Sequence, residues 1–461
     1  MMHKSRMALP PRLLACGSLF AVSLLGGCGS DTMGVDDLGQ DLAMESSVDL
    51  AMPDLVPPTP QIKHVVLIVQ ENHSFDTYFG RYCTASAGSS PTCTSGPTCC
   101  EAAPVMEASG SPPVVLDDAL NAGRDPDHSK ACMVAGINGG KMDRYVTGAF
   151  CSDARNFAIA PSSLVKPYHD FAKQYALGDR CFHSVAGASS MNDMYFAVAK
   201  YEFTDNDQVP DANGRGCWYP IKTPVSYTGK KTIADVLASG GHTFSVYAEG
   251  YQAMKDAVLC PFSRPADCTF PTPLVTPNTC VYDPSDYPFQ YYAQLADKPQ
   301  YIRDLSSFSK DIAAGTLPTF SFVKGTSYHT EHPNFGNKIS MGAAFVQGLV
   351  GQVLSSQYAN DTLILVTWDE SGGFYDHVPP PPPNPIDGQA SGLRVPFLAI
   401  GRFARKNHVS HVVMEHSSIL KFLEYNFLDG KTGQLGNRDT NVNNIGSLLD
   451  PNQTGIVIPE N

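Results

Sequence analysis

An unbroken apolar run at residues 65–69, Val-Val-Leu-Ile-Val, places the strongest constraint on the fold of this chain. Such a run predicts a strand that is covered on both faces, as in a parallel sheet. Glu71 and Asn72 follow almost at once. Because ligands bind at the carboxyl ends of strands in open α/β sheets, both side chains are candidates for one crevice. The alternative is that they only begin a helix, with Asn72 or Ser74 as its N-cap.

A second apolar strand, predicted at Thr362–Trp368, is followed directly by Asp369 and Glu370. Adjacent carboxylates in an apolar crevice repel each other, and a cation is the simplest way to keep both ionised. The pattern therefore favours a divalent metal site over a solvated acidic turn. Oxygen ligands with few imidazoles suit Ca²⁺, Mg²⁺ or Mn²⁺ better than Zn²⁺, and the number of ions stays open at this point.

Residues 178–193 contain a candidate nucleophile. A short strand and a glycine turn lead to Ser189 and Ser190, ahead of an apolar helical pattern at residues 194–199. This arrangement predicts a serine at the start of a helix, where backbone N–H groups and the helix dipole favour phosphate. The alternative is that a serine only caps the helix.

The remaining periodicity predicts an alternation of helices and strands, which is typical of an α/β domain. Helices are predicted at residues 164–177, 232–237 and 419–427, and strands at residues 243–247, 318–323 and 394–400. The stretch between the first strand and residue 130 is rich in turn-forming residues and is predicted to be loop.

The N-terminus predicts export. Lys4, Arg6 and Arg12 precede an apolar stretch at residues 13–25, which is long enough for a signal peptide and short for a membrane span. Leu25-Gly26-Gly27-Cys28 resembles the lipobox of bacterial lipoproteins, so Cys28 is expected to carry lipid. The alternative is an ordinary cleaved signal with an incidental cysteine. Residues 29–60 contain seven acidic residues and no Lys or Arg, which predicts a disordered tether.

Charge and cysteine usage narrow the function further. A net charge of −13 argues against nucleic-acid binding, because the protein would repel the phosphate backbone.

Of thirteen cysteines, eleven lie between Cys83 and Cys280. In an exported protein this predicts disulfides in insertions near residues 83–101 and 258–299. The second insertion is expected to lie over the site. A zinc site would need paired CxxC or CxxH spacings, which the sequence lacks.

Several motifs together resemble the bacterial phosphoesterase family, which contains the non-haemolytic phospholipases C and a group of acid phosphatases within the alkaline-phosphatase-like superfamily. The main ones are Glu71-Asn72-x-Ser74-Phe75-Asp76-x-Tyr78-Phe79-Gly80, Ser184-Val185-x-Gly187-x-Ser189 and Asp369-Glu370-x-Gly372-Gly373-Phe374-x-Asp376-His377-Val378. Others fit the same order: Asp127-His128-Ser129, Glu331-His332-Pro333, Arg394-Val395-Pro396 and Glu415-His416-Ser417. The resemblance spans about residues 62 to 429 and places a phosphoesterase domain at residues 61–461, behind the signal (1–28) and the tether (29–60).

The resemblance implies a three-layer α/β/α fold with a mostly parallel central sheet and loop insertions capping the site. It also implies metal-dependent hydrolysis of phosphate mono- or diesters, or of phospholipids, through a phosphoserine intermediate. Ser189 would be the nucleophile and would bind the metal together with Glu71, Asn72, Asp369 and Glu370. His128 and His332 would contact the phosphoryl oxygens or the leaving group. Further candidates are Asp127, Asp376, His377 and His416, and His416 with His332 would complete a second metal site.

The sequence departs from the family pattern at several positions. His73 stands where Arg is usual, Asp193 where a basic residue is usual, Glu415 replaces an Asp, and Ala188 and Met191 replace prolines. Ser189 resembles the phosphatase branch, whereas Thr is more typical of the phospholipases.

Two other functions compete with hydrolysis of phosphate esters. A lipoprotein that binds a ligand without catalysis would fit the tether and the lipobox equally well, but it would need no nucleophile at position 189. A sulfatase would need a Cys/Ser-x-Pro-x-Arg signature, which is missing around residues 184–195.

Overall fold

A computed structural model describes residues 61–202, 226–256 and 282–460. Within these ranges the strands are β1 (His64–Gln70), β2 (Val114–Val115), β3 (Ala158–Ile159), β4 (Ala176–Gly178), β5 (Cys181–Phe182), β6 (Phe244–Ala248), β7 (Ile302–Asp304), β8 (Phe320–Lys324), β9 (Thr362–Trp368), β10 (Phe397–Ile400), β11 (His408–Ser410) and β12 (Met414–Glu415). Eight of them form one sheet in the order β11-β4-β10-β9-β1-β8-β6-β7, while β2 pairs with β3 and β5 with β12.

The central sheet is mostly parallel. β1 runs parallel to its neighbours β8 and β9, and β6 runs parallel to β7 and β8. Only β10 among the strands of this sheet runs antiparallel to both neighbours, β9 and β4. The register pairs Gln70 with Trp368 and Val69 with Lys324, so β1, β8 and β9 end at the same edge. Residues that directly follow these three strands therefore meet there.

The helices are α1 (Phe75–Phe79), α2 (Asp118–Gly123), α3 (Lys130–Ile137), α4 (Lys166–Gln174), α5 (Ser189–Asp193), α6 (Tyr195–Val198), α7 (Ile233–Ser239), α8 (Tyr251–Asp256), α9 (Ser306–Ala314), α10 (Ser327–Thr330), α11 (Ile339–Leu354), α12 (His416–Phe427) and α13 (Pro451–Thr454). Short 3₁₀ helices lie at Pro97–Cys99, Asn138–Gly140, Ala154–Asn156, Pro284–Asp286, Pro288–Tyr291, Arg438–Thr440 and Gly446–Leu448.

The helices form two groups. α2, α4 and α9 pack on α11, whereas α6 and α7 pack on α12. Every residue of β9, and every residue of β1 after His64, is buried, as expected for strands covered on both faces. The predicted three-layer α/β/α fold is thus confirmed. None of the helices in the described ranges combines the length and apolar character needed to cross a membrane, and the longest of them, α11, has 16 residues.

Some sequence predictions differ from the structure. The helix predicted at residues 164–177 spans only Lys166–Gln174, because Tyr175 ends it and Ala176–Gly178 form β4 between β10 and β11. The strand predicted at 394–400 begins only at Phe397, after Pro396, which has no backbone N–H for a ladder. The stretch predicted as loop before residue 130 is mostly irregular, but it also contains the short helices α1 and α2, which Ser74 and Asp117 cap. Ser74 is thus the N-cap named in the alternative interpretation of residues 71–74.

Disulfides are present where the first insertion was predicted. Cys83–Cys100 and Cys93–Cys99 lie within residues 83–101, and a third bridge joins Cys132 to Cys151. Cys181 is buried and unpaired. The signal, Cys28, the tether and residues 258–281 of the second insertion lie outside the described residues.

Candidate active site

Ser189 and Asn72 meet at the carboxyl edge of the sheet. Ser189 is the first residue of α5, and its hydroxyl donates a hydrogen bond to Asn72 Oδ1 at 3.4 Å. Ala188 occupies the N-cap position, so the Ser189 hydroxyl does not cap the helix. Since α5 has only five residues, the predicted contribution of a helix dipole is small.

Asn72 is held in an unusual backbone conformation. Its φ is +63°, and its N–H donates to Asp369 Oδ1 at 3.2 Å. The Asn72 carbonyl lies against Gly372, where a Cβ atom would come within 2.1 Å of the carbonyl oxygen. Gly372, two residues after Glu370, therefore allows the close approach that fixes Asn72.

Three predicted ligands, Glu71, Asp369 and Glu370, are buried at this edge. Glu71 Oε2 accepts a hydrogen bond from the Thr330 hydroxyl at 2.5 Å. Asp369 Oδ2 and Glu370 Oε1, by contrast, have no hydrogen-bond partner within the described part of the chain. Buried carboxylate oxygens are normally satisfied, so these two atoms indicate a place for a cation.

Lys324 is a residue of this site that the sequence motifs did not include. Its buried ammonium lies 2.8 Å from Glu71 Oε1, 3.2 Å from Asp193 Oδ2 and 3.8 Å from Asp369 Oδ2. A signal was available, because Lys324 directly follows the apolar strand predicted at residues 318–323. Lys324 is the last residue of β8, just as Glu71 and Asp369 directly follow β1 and β9. The local sequence pattern does not show, however, that β8 pairs with β1.

The electrostatics of the carboxyl groups differ. Burial raises the pKa of Glu370 to about 8 and also raises the pKa of Asp369. Burial acts in the same direction on Glu71, but the Lys324 ammonium, His332 and the hydrogen bond from Thr330 together outweigh it and hold the pKa of Glu71 below its usual range. Asp369 and Glu370 therefore lack enough compensating charge, which a divalent cation would supply.

The two predicted histidines flank this group, with ring centroids 6.1 Å apart. Asn72 Nδ2 donates to His332 Nε2 at 3.1 Å, and His332 Nδ1 donates to the Pro333 carbonyl at 2.8 Å. His128 Nε2 lies 3.8 Å from Glu370 Oε1. Although burial opposes it, the carboxylates of Glu370 and Asp125 hold the pKa of His128 well above its usual range. His128 thus carries a proton that it can donate, whereas His332 accepts a hydrogen bond from Asn72.

Asp125, not Asp127, is the acidic partner of His128. Asp125 Oδ1 lies 3.4 Å from His128 Nδ1, whereas Asp127 accepts a hydrogen bond from the Ser129 N–H at 2.9 Å. Ligand atoms of Asp125, His128 and His332 all lie within 4.8 Å of one another. The acid in this cluster is therefore Asp125, two residues before the candidate Asp127.

Asp376 and His377 belong to a separate ionic network around Arg394. Arg394 donates to Asp376 at 2.8 Å and to Asp76 at 3.0 Å, and His377 Nδ1 lies 2.8 Å from Asp76. This guanidinium already supplies the positive charge that the three side chains need. The structure therefore places Asp376 and His377 in an ion-pair network around Arg394 and Asp76. The network extends to Glu101, whose Oε2 lies 3.2 Å from His377 Nε2.

His416 lies in the core at the start of α12. Its Nε2 donates to the Trp368 carbonyl at 3.0 Å, and its ring packs on Phe196 with centroids 4.3 Å apart. The described contacts do not bring it together with His332. The neighbouring Glu415, which replaces the usual Asp, forms an ion pair with Arg438.

Residues 282–299 cover the site from one side. The Ser190 hydroxyl donates to the Ser285 carbonyl at 3.2 Å, and the Tyr287 hydroxyl donates to the Lys324 carbonyl at 3.1 Å. Burial, followed by the charges of Glu71 and Asp283, raises the pKa of Asp286 well above its usual range. The described part of the second insertion thus lies where the sequence predicted it.

Comparison with known proteins gives consistent matches. The model of the Phosphoesterase family matches residues 62–428. Phospholipase C B of Mycobacterium tuberculosis is 25% identical over 409 residues, which covers 79% of this chain and 73% of that protein. Non-hemolytic phospholipase C of Pseudomonas aeruginosa is 23% identical over 415 residues, covering 79% and 54%. A solved protein of the alkaline phosphatase superfamily from Vibrio parahaemolyticus aligns with a TM-score of 0.36 and 12% identity over 83% of this chain and 72% of that one.

Proposed function

Because this chain belongs to the Phosphoesterase family and is a hydrolase of phosphoric ester bonds, we propose that it uses Ser189 as nucleophile beside one or more divalent metal ions. The observation that carries the proposal is the meeting of the Ser189 hydroxyl with Asn72 at 3.4 Å, at the edge where Asp369 and Glu370 are buried. A nucleophile, an amide oxygen and carboxylates converge there from separate parts of the chain.

The proposed metal ligands are Ser189, Asn72, Glu71, Asp369 and Glu370. The two unpartnered oxygens, Asp369 Oδ2 and Glu370 Oε1, fit such an ion, and an all-oxygen set suits Ca²⁺, Mg²⁺ or Mn²⁺. When bound, a divalent ion supplies positive charge for the phosphoryl oxygens and favours loss of the proton from a nearby hydroxyl. Burial of both carboxyl groups excludes water that would otherwise compete for their oxygens.

The chemistry proceeds in two displacements. Ser189 Oγ attacks phosphorus as the bond to the ester oxygen breaks, and the proton of the Ser189 hydroxyl passes to solvent. His128, held protonated by Glu370 and Asp125, donates its proton to the departing oxygen and regains one from solvent. Water then attacks the phosphoserine, restoring the Ser189 hydroxyl and releasing the phosphate. His332 presents an acceptor nitrogen to Asn72 and lies beside His128, with the two ring centroids 6.1 Å apart.

Two substrate classes fit this site, phosphate monoesters and phospholipids. The relatives named phospholipase C support the phospholipid, whereas the serine at position 189 resembles the acid phosphatases. The deciding assay compares p-nitrophenyl phosphate with phosphatidylcholine, before and after chelation. We expect chelation to abolish hydrolysis and Mg²⁺, Mn²⁺ or Ca²⁺ to restore it. Full activity of the metal-stripped protein would refute metal dependence.

A lipoprotein that only binds a ligand is not favoured, because such a protein would not need a serine in contact with the ligand set. If neither ester is hydrolysed with any of the three metals, the assignment of Ser189 as nucleophile is wrong. The Ser189→Ala protein serves as the blank in every assay, since it retains the carboxylates.

We also propose that the protein is exported and anchored by lipid on Cys28 at the bacterial cell envelope. The basic and apolar N-terminus supports export, as do the three disulfides, which persist in oxidising compartments. Several acyl chains would hold the protein firmly at a membrane. Labelled palmitate should be incorporated into the full chain, lost in Cys28→Ala and retained in Cys16→Ala. Equal labelling of both variants would contradict the anchor.

A further inference from the structure

We propose that Glu331 is a positioning residue of the reaction, whose buried carboxyl group fixes the turn that presents His332 to Asn72. Through His332 it sets the orientation of the Asn72 amide that meets the nucleophile. The inference therefore rests on the proposed function, in which Ser189 is that nucleophile. It gives a role to a side chain that the chemistry above does not use.

Glu331 adopts a backbone conformation that is unusual for its residue type. It follows α10 directly with a φ of +74°, in the left-handed region that favours glycine. Such a conformation costs free energy and persists only where surrounding contacts fix it. His332 is the next residue, so the direction in which the chain leaves α10 decides where this imidazole lies.

Two tyrosine hydroxyls hold the side chain of Glu331. Tyr78 donates to Oε2 at 2.6 Å and Tyr168 donates to Oε1 at 2.5 Å, and all three residues are fully buried. The two phenol rings are stacked with centroids 5.7 Å apart, and the Trp368 ring packs edge-to-face against both. Since Tyr78 belongs to α1 and Tyr168 to α4, the carboxyl group ties the turn after α10 to two separate helices.

A glycine of α11 makes room for this side chain. A Cβ atom at Gly342 would lie 2.1 Å from Glu331 Cγ and 2.8 Å from Cδ and Oε1. Because the overlap is with the middle of the side chain, the carboxyl group would have to leave its place between the two tyrosines. Gly342→Ala therefore displaces Glu331 without removing any of its atoms.

Asparagine side chains hold the backbone of the same turn. Asn121 Nδ2 donates to the Glu331 carbonyl at 3.1 Å, and Asn337 Nδ2 donates to the His332 carbonyl at 2.9 Å. The peptide that joins Glu331 to His332 is thus held at both ends, and a shift of the Glu331 side chain would pull on it.

His332 in turn decides which end of the Asn72 amide faces Ser189. His332 Nε2 accepts from Asn72 Nδ2 at 3.1 Å, so Asn72 Oδ1 is the atom that meets the Ser189 hydroxyl at 3.4 Å. If the imidazole moved away, the amide would lose the partner that distinguishes its nitrogen from its oxygen. Glu331 therefore acts on the nucleophile through His332.

The test compares two alanine variants of the same helix in the full chain, Gly342→Ala and Gly351→Ala. A Cβ atom at Gly351 would have no atom within 4 Å, which makes this variant the matched control. We expect Gly342→Ala to lower kcat for p-nitrophenyl phosphate roughly 10²-fold, the loss typical of a group misplaced by about 1 Å. Gly351→Ala should keep the kcat of the wild type.

A double-variant cycle with His332→Asn separates positioning from a general loss of stability. Because Glu331 acts through His332, adding Gly342→Ala to His332→Asn should lower kcat little further. Losses that multiply in the double variant would overturn the proposal, since the two residues would then act independently.

Glu331→Gln is the conservative variant. Burial raises the pKa of Glu331 to about 8, against the effect of the hydrogen bonds from Tyr168 and Tyr78, so the neutral form that glutamine imitates is favoured near pH 7. Glu331→Gln should keep most of the activity, whereas Glu331→Leu should lower kcat roughly 10²-fold. Wild-type kcat in Glu331→Leu would refute the positioning role. If Gly342→Ala does not fold, Glu331→Leu takes its place in each comparison.

A second readout does not depend on activity. In protein with isotope-labelled histidine, the ring signals of His332 are identified by their absence from the magnetic resonance spectrum of His332→Asn. They should shift in Gly342→Ala and stay in place in Gly351→Ala, and unchanged signals in Gly342→Ala would overturn the proposal even if kcat falls. A wild type that hydrolyses no phosphate ester, with signals that shift as expected, would refute the proposed function alone.

Discussion

The hydroxyl oxygen of Ser189 lies 3.4 Å from the side-chain oxygen of Asn72, although 117 residues separate them in the chain. The contact exists because α5 begins at the edge where β1 ends. Asn72 is fixed in turn by its N–H bond to Asp369, which follows the neighbouring strand β9. The positions of nucleophile and ligands are therefore set by the register of two parallel strands.

Replacing Ser189 by Ala should remove nearly all hydrolysis of p-nitrophenyl phosphate while leaving the fold intact, because the variant loses the attacking oxygen and only one long hydrogen bond. Ser190→Ala is the matched control. It removes the bond to the Ser285 carbonyl at a cost of about 1 kcal/mol and should keep the activity. Wild-type rates in Ser189→Ala would contradict the proposed nucleophile.

Replacing His128 by Asn should lower kcat by roughly 10²–10⁴-fold for alkyl phosphates, because the departing oxygen loses its proton donor. The loss should be smaller for p-nitrophenyl phosphate, whose leaving group needs little protonation. His411→Asn, which removes a histidine bonded to Asp179 outside the site, should leave kcat unchanged for both esters. Equal losses for the two esters in His128→Asn would argue against a proton donor.

Replacing Gly372 by Ala should strongly reduce both activity and stability. The new Cβ would come within 2.1 Å of the Asn72 carbonyl oxygen, and backbone atoms cannot move aside easily. Gly388 is a suitable control, because it has a similar positive φ of +69° but no atom within 4 Å of a built Cβ. Gly388→Ala should show only the backbone strain, of about 1 kcal/mol. Equal melting temperatures and activities of the two variants would refute the steric argument.

Replacing Arg394 by Met should destabilise the protein by about 3–5 kcal/mol, because Asp76 and Asp376 would keep buried charge without a partner. Chemical denaturation of both proteins measures this difference. The exposed pair of Arg155 with Asp153 gives the comparison, and Arg155→Met should cost less than about 1 kcal/mol. A loss in Arg394→Met no larger than that in Arg155→Met would show that the network is not structural.

Glu424 predicts a pH dependence of stability. Burial and the charge of Asp439 raise its pKa from 4.5 to about 8. The folded protein then holds this proton more tightly than the unfolded chain, so the free energy of unfolding declines as pH rises from about 4.5 to about 8. Glu424→Gln should show a smaller drop in melting temperature between about pH 6 and pH 9. An identical drop in the two proteins would refute the shifted pKa.

The sequence predicted those parts of the fold that local patterns determine. The strands at 65–69 and Thr362–Trp368 are confirmed almost to the residue, because an unbroken apolar run can only be buried on both faces. The three-residue strand β4 was hidden in a predicted helix, since pairing with β10 and β11 overrides its local preference. The family that the motifs resembled is confirmed by the match over residues 62–428.

The site was predicted in part. Glu71, Asn72, Ser189, Asp369, His128 and His332 do converge. Lys324 and Asp286 could not be found, because their place depends on which strand lies beside β1 and on how the second insertion folds back. Asp376 and His377 are residue types that can bind a metal, but in the structure both contact the Arg394 guanidinium instead. Their local motif does not contain Arg394, so this contact could not be predicted from it.

The reversed direction of β10 has a consequence for how such a protein can change. Because β10 is antiparallel to β9, β9 ends and β10 begins at the same edge of the sheet. The connecting residues 369–396 therefore do not have to cross from one edge to the other. A crossover between parallel strands must be long enough to span the sheet, whereas the connection between β9 and β10 has no such minimum length. Its proline-rich middle, residues 379–385, can therefore change in length without moving β9 or β10.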